Sequence, residues 1–184
     1  MSRLSIPARD DAPDASKPIL DAVAKQLGSV PNLFRLIATS PAALSGFAAL
    51  DAANAKTLDL KTRNAIALAV AQVNGCDYCL SAHTYIGINL AKISPAEVAL
   101  NRAGQSATAK TAAAVRFAAD LVEARGKVGN AQIEAVRAAG YGDAQIVEIV
   151  SVAVQNVFTN LLNNVAQTDI DFPAVSASDL ATAA

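Results

Sequence analysis

Positive charge never gathers in this chain. Its 184 residues hold 15 Lys and Arg against 16 Asp and Glu, a formal charge of -1, with no basic run to neutralise a row of phosphates, which excludes nucleic acid as a partner. The amino terminus, "MSRLSIPARDDAPDASKP", lacks the apolar stretch of a secretory signal. The apolar runs elsewhere carry polar breaks short of the roughly 20 residues that cross a bilayer. These absences lead to an expectation of a soluble protein in the reducing cytoplasm, away from membranes. In that compartment, two cysteines three positions apart are expected to serve catalysis or metal binding rather than a permanent bridge. A second CxxC and an HxxxH are also missing, which leaves a zinc site short of its fourth ligand, so no metal and no cofactor are expected.

Aromatics make up only 4% of the chain, alanine is abundant, and the apolar residues recur at helical rather than alternating spacing, so the fold class is all-α. Helices are expected near 16–27, 32–38, 41–54, 59–73, 76–91, 95–103, 108–125, 131–139 and 143–165. Capping chemistry marks their starts: Ser40 before Pro41, and Ser94-Pro95-Ala96-Glu97 with its N-cap serine, first-turn proline and capping-box glutamate. Asn130 and Asp143 are further N-cap candidates. No repeat or long linker divides the chain, so it reads as an N-terminal arm over 1–15, one helical domain over 16–173 and a flexible tail over 174–184, loosening from Asp171. The small side chains of "AIALAVAQV" and "TAAAVRFAAD" suit closely packed helices. Hydrophobic residues form 53% of the chain, and the excess over an ordinary soluble domain points to buried subunit contacts and hence a homo-oligomer.

What the chain does hold is "NGCDYCLSAH", residues 74 to 83, with both cysteines and the only histidine. Asn74-Gly75 breaks one helix and lets another begin near Cys76. A helix start favours negative charge, so a thiol at Cys76 or Cys79 should ionise more readily than free cysteine. Positions three apart on a helix lie near 5 Å at Cα, inside the disulfide window. His83, four residues after Cys79, shares its face and could take the proton from that sulfur. Cys79 is therefore the expected attacking thiol and Cys76 the resolving one, provided solvent reaches the sulfurs through a small apolar pocket lined by the flanking helices. Two inert packed thiols are the competing reading.

The stretch "LKTRNAIALAVAQVNGCDYCLSAHTYIG" resembles the core signature of the alkylhydroperoxidase D-like, carboxymuconolactone decarboxylase superfamily, and "VFTNLLNNVAQTDIDFP" resembles its peroxidase-related branch. The resemblance runs from about Pro31 to Pro173. It implies a single-domain, all-helical bundle with its CxxCxxxH core at 59–91, assembled into trimers or hexamers. It also implies that a hydroperoxide oxidises one cysteine, the other closes a disulfide, and an external dithiol reductant restores the pair. Two other functions stay open: a carboxymuconolactone decarboxylase-like lyase, whose representatives do not use the cysteine pair, and a non-catalytic, redox-sensing oligomer.

Two positions depart from the redox-active pattern. Asn64 stands where a proton-relaying glutamate is usual, twelve residues before the first cysteine, and an amide cannot take a proton at neutral pH. Tyr78 replaces a second histidine inside the CxxC. Asp77 and Glu148 are the carboxylates that could compensate. Asp77 also suits a helix start electrostatically, and Glu148 suits a solvated stripe with Ser151, Gln155 and Thr159. Asn156, Asn160, Asn163 and Asn164 form a polar strip on the last helix, read as interhelical or intersubunit hydrogen bonding.

Overall fold

The computed structural model describes residues 2–180. Among these residues the chain forms nine α-helices and no strand: α1 Lys17–Leu27, α2 Asn32–Ile37, α3 Pro41–Asn54, α4 Leu60–Val73, α5 Asp77–Asn89, α6 Pro95–Arg102, α7 Ala109–Glu123, α8 Asn130–Ala138 and α9 Asp143–Ala166. Every expected helix is present, with ends shifted by a residue or two.

The starts of α8 and α9 differ from expectation. Their N-caps are Gly129 and Gly142, not Asn130 and Asp143. Gln132 and Gln145 reach back to the two glycine amides at 3.0 and 3.2 Å, so the glutamines satisfy orphan donors that a cap side chain would leave. At α6, Ser94 caps as expected. Glu97, however, does not close a capping box. Its carboxylate accepts from Asn101, Ser106 and the Ala107 amide, pinning the loop that follows.

The helix α4 sits at the centre. It packs against α5, α6, α7 and α9, which explains why its buried run, from Asn64 to Ala71, shows no polar face. Ala65 and Ala69 meet Val115 and Ala119 of α7, where the small side chains let the two backbones approach. Ile66 and Val70 join Phe117, Ile149 and Val152 in the largest apolar cluster.

By length and hydropathy α9 could cross a bilayer, contrary to the expectation that no segment reached that size. In the fold one face of it packs against α3, α4, α5 and α7, and 33% of that apolar stretch is buried.

The two ends of the chain are also tied down. Arg35 donates to the carbonyls of Ile6 and Pro7 in the N-terminal arm. The expectation of a loose tail fails for residues 171–180. Val175 donates to Ser81 Oγ at 2.9 Å, Ala177 donates to Asp77 at 2.7 Å, and Gln72 and Arg102 donate to the Ala177 and Ser176 carbonyls. No sequence pattern announces these contacts, because the partners lie on three different helices. Residues 181–184, the rest of the expected tail, lie outside the described residues.

Candidate functional site

Gly75, at φ +59°, turns the chain between α4 and α5 in a conformation that strains any residue with a Cβ. The turn places Cys76 at the N-cap of α5, where its sulfur accepts from the Cys79 amide at 3.3 Å. A thiol here fills the position usually taken by a serine or aspartate oxygen.

The two sulfurs lie 2.7 Å apart and both thiols are free. A disulfide would bring them to about 2.05 Å, so oxidation needs little backbone movement. The pair is electrostatically unequal. The hydrogen bond from Cys76 holds the Cys79 thiol below its ordinary pKa against the opposing cost of burial, with further help from Asn163, Asn160 and Thr159. The same bond, then burial, pushes Cys76 far above its ordinary value. The expectation that a thiol at either position would ionise more readily holds at Cys79 and fails at Cys76: Cys76 donates its hydrogen bond to the Cys79 sulfur, which makes Cys79 the more acidic of the two.

Asn163 Nδ2 donates to Cys79 Sγ at 3.3 Å. With Thr159 and Asn160 it presents the buried face of α9 to the sulfur. The sequence reading saw this strip but assigned it only generic hydrogen bonding, because helical spacing gives a face and not what the face meets.

His83 turns elsewhere. Asn64 donates through Nδ2 to the His83 carbonyl at 3.2 Å, which leaves Oδ1 to accept from the ring at Nδ1, also at 3.2 Å. That pairing assigns the Nδ1–H tautomer and leaves Nε2 as the basic nitrogen. Desolvation pushes the His83 pKa down to about 4, opposed by a hydrogen bond with Asn156. The ring is only half-buried by exposed area. The low pKa reflects the protein mass around it and leaves a neutral imidazole at physiological pH. No hydrogen bond joins the ring to Cys79 among the described residues, contrary to the expected direct transfer. On α9, Asn156 lies beside the ring and Asn160, one turn on, beside the sulfur, with no hydrogen bond between the two amides among the described residues.

Gly87 is what lets Asn64 into this position. A Cβ there would sit 2.7 Å from Asn64 Nδ2, so alanine would push the amide away from α5.

The remaining candidates make no hydrogen bond to either sulfur among the described residues. Tyr78 is buried, its hydroxyl donates to Asp171 at 2.8 Å and accepts from the Leu33 amide at 3.0 Å, and burial raises its pKa. Asp77 holds the tail. Glu148, half-buried on α9, forms no hydrogen bond or ion pair with any described residue. It also lies eight residues, roughly 12 Å along the axis, from Asn156. The solvated stripe expected around it does not hold: Ser151 and Gln155 bond Asn54 and Asp51 of α3, and Thr159 is buried. No three His, Cys, Asp or Glu side chains converge as a metal site needs, among the described residues.

The opening expected beside the motif does not reach the sulfurs among the described residues. Cys76 is 0% exposed and Cys79 3%, and Phe172, Val175 and Ala177 of the tail pack on their cluster. A cleft of about 380 Å³ is lined by Leu58, Asp59, Lys110 and Tyr141. It lies at the opposite end of α4.

Residues 39–124 match the family model described as Carboxymuconolactone decarboxylase family. That match spans 86 of the 184 residues and supports the resemblance to the alkylhydroperoxidase D-like, carboxymuconolactone decarboxylase superfamily. A solved structure of an alkylhydroperoxidase AhpD core, an uncharacterised peroxidase-related protein from Ralstonia eutropha JMP134, shares the fold at 24% identity over 92% of each chain with a TM-score of 0.82. An uncharacterised peroxidase-related protein from Silicibacter sp. TM1040 is 25% identical over 91% of each chain, TM-score 0.80. The debrominase Bmp8, solved with 2,3,4-tribromopyrrole, shares the fold at 20% identity over 91% of each chain, TM-score 0.78. No curated protein matches the chain.

Proposed function

We propose that the chain is a thiol-dependent peroxidase that cycles Cys76 and Cys79 between dithiol and disulfide. The observation that carries this reading is the unequal pair, two free sulfurs 2.7 Å apart with Cys79 favoured as thiolate and Cys76 as thiol. The thiolate is the nucleophile that attacks a peroxide oxygen, and a resolving thiol must already be close when the sulfenic acid forms.

In the cycle, Cys79 bonds to the terminal oxygen of a hydroperoxide, the O–O bond breaks, and the departing alkoxide takes a proton to become an alcohol. Cys76 then displaces the sulfenic hydroxyl as water and closes the disulfide. An external dithiol reductant returns both sulfurs to thiols and is itself oxidised to a disulfide. Neutral His83, with Nε2 as its basic nitrogen, can accept or return a proton by way of water, since the amides of α9 cannot carry one. Asn64 orients that ring but cannot carry a proton itself, so this relay is weaker than one with a carboxylate at position 64.

Burial of both sulfurs supports a second reading, a slow redox-sensing dithiol without turnover. Single-turnover mixing of reduced protein with cumene hydroperoxide separates the two. The peroxidase loses two thiols per chain far faster than free cysteine does, and Cys79→Ser abolishes the loss. A rate no higher than that of free cysteine sinks the peroxidase and leaves the sensor.

The outer face of α9 supports a homo-oligomer. Val147, Val154, Phe158, Leu161 and Val165 are each between 42% and 68% exposed and recur at spacings of seven, four, three and four, one continuous apolar stripe of the kind helices bury against each other.

A further inference from the structure

Two polar atoms next to Cys79 have no hydrogen-bond partner although both residues are buried: Asn160 Nδ2, a donor, and Asn163 Oδ1, an acceptor. Asn160 is 0% exposed and Asn163 3%. The rest of each amide is committed, Asn160 Oδ1 to Asn74 at 2.9 Å and Asn163 Nδ2 to the sulfur itself at 3.3 Å. Those bonds fix which amide end is left over. Asn160 faces Cys79 closely enough to stabilise its thiolate without closing a well-formed bond. Leaving a donor and an acceptor unmatched in a buried site costs stability that leucine at either position would avoid. The missing partner is therefore a group that accepts one hydrogen bond and donates one, at the sulfur.

We propose that Asn160 and Asn163 bind the oxygen atom transferred to Cys79, with Asn160 Nδ2 donating to that oxygen and Asn163 Oδ1 accepting its hydrogen. A hydroxyl has this pattern. It is present in the terminal O–H of the incoming hydroperoxide and again in the sulfenic acid after transfer, so the same two amides serve both. The site rests on the peroxidase reading and extends it. Because the recognised group is the hydroperoxide terminus, substrates of differing alkyl group share it.

The chemistry balances around this site. The Cys79 thiolate forms the S–O bond as the O–O bond breaks, the sulfur is oxidised by two electrons, and the alkoxide leaves and takes a proton from solvent. The sulfenic hydroxyl, held by Asn163, then leaves as water when Cys76 closes the disulfide.

The test compares two reactions of Cys79 in the reduced full-length chain. Cumene hydroperoxide requires the oxygen site, whereas alkylation by iodoacetamide requires only the thiolate. Asn160→Leu and Asn163→Leu are each expected to slow the hydroperoxide reaction roughly 10-fold more than they slow alkylation. In a Cys76→Ser background, Asn163→Leu is expected to shorten the lifetime of sulfenic acid trapped by dimedone. Equal slowing of both reactions, or no slowing of either, overturns the site while leaving the peroxidase reading intact. A parent chain that alkylates normally yet ignores hydroperoxide overturns both. Helical content by circular dichroism identifies a misfolded variant, and the two positions serve as independent versions of the test.

Discussion

The two halves of α9 bury opposite kinds of side chain. Over its first half Ile149, Val152 and Ala153 enter the apolar cluster formed with α4 and α7. Over its second half the buried positions are Asn156, Thr159, Asn160 and Asn163, while Phe158, Leu161 and Val165 face outward. One continuous helix thus inverts what it buries, from aliphatic side chains to amides, while the apolar stripe from Val147 to Val165 runs along the exposed side of both halves. Burial of amides in place of aliphatic groups lowers stability, and the inversion falls where α9 passes the Cys79 sulfur and the His83 ring. The first half holds the fold together, and the second half gives up stability where the proposed chemistry and the proposed association would lie.

Three experiments press on that contrast. The largest effect belongs to the first half. Ile149→Ala is expected to destabilise by about 2–5 kcal/mol in chemical denaturation with Cys79 alkylation unchanged. Asn160→Leu should alter stability by only about 1 kcal/mol. If Asn160→Leu proves as costly as Ile149→Ala, the two halves do the same job and the distinction is lost.

A smaller effect comes from acid. The His83 pKa falls from the ordinary 6.5 to about 4 in the fold, so between those values the unfolded chain binds the extra proton and the folded one does not. Stability is then full above about pH 6.5 and declines as pH drops towards 4, by on the order of 1–3 kcal/mol. Comparing denaturation curves of the parent chain and His83→Gln across that window isolates the contribution. Parallel curves would mean the ring is not desolvated.

The smallest effect on folding comes from the outer stripe. Val165→Lys with Leu161→Lys should change monomer stability by less than about 0.5 kcal/mol, yet reduce the mass seen by sedimentation from oligomer to monomer. A parent chain that already sediments as a monomer removes the interface.

The helices were legible because their causes are local. Ser40 and Ser94 cap where they should, and Gly75 breaks the helix where Asn74-Gly75 announced it. The dithiol was legible too, since three residues on a helix fix the separation of Cys76 and Cys79. Where the reading missed, the partners were distant in sequence. Proximity to Cys79 suggested His83 as its base, but Asn64, nineteen residues earlier, holds the ring, and α9 supplies the sulfur's neighbours. The tail was expected to be loose because nothing in its composition reveals Asp77, Gln72, Ser81 and Arg102 waiting for it. Glu148 drew attention through its apolar surroundings in sequence, yet α9 carries it away from the site.

The sequence by itself determined the helices, the turn at Gly75 and a pair of sulfurs close enough to join, because each depends on bonds and torsions within a few residues. Only the tertiary structure decided which sulfur holds the proton, which way the imidazole faces and that both thiols lie beneath the tail. Those outcomes depend on desolvation and on hydrogen bonds from α4, α9 and residues 171–180, groups that become neighbours only when the chain has folded.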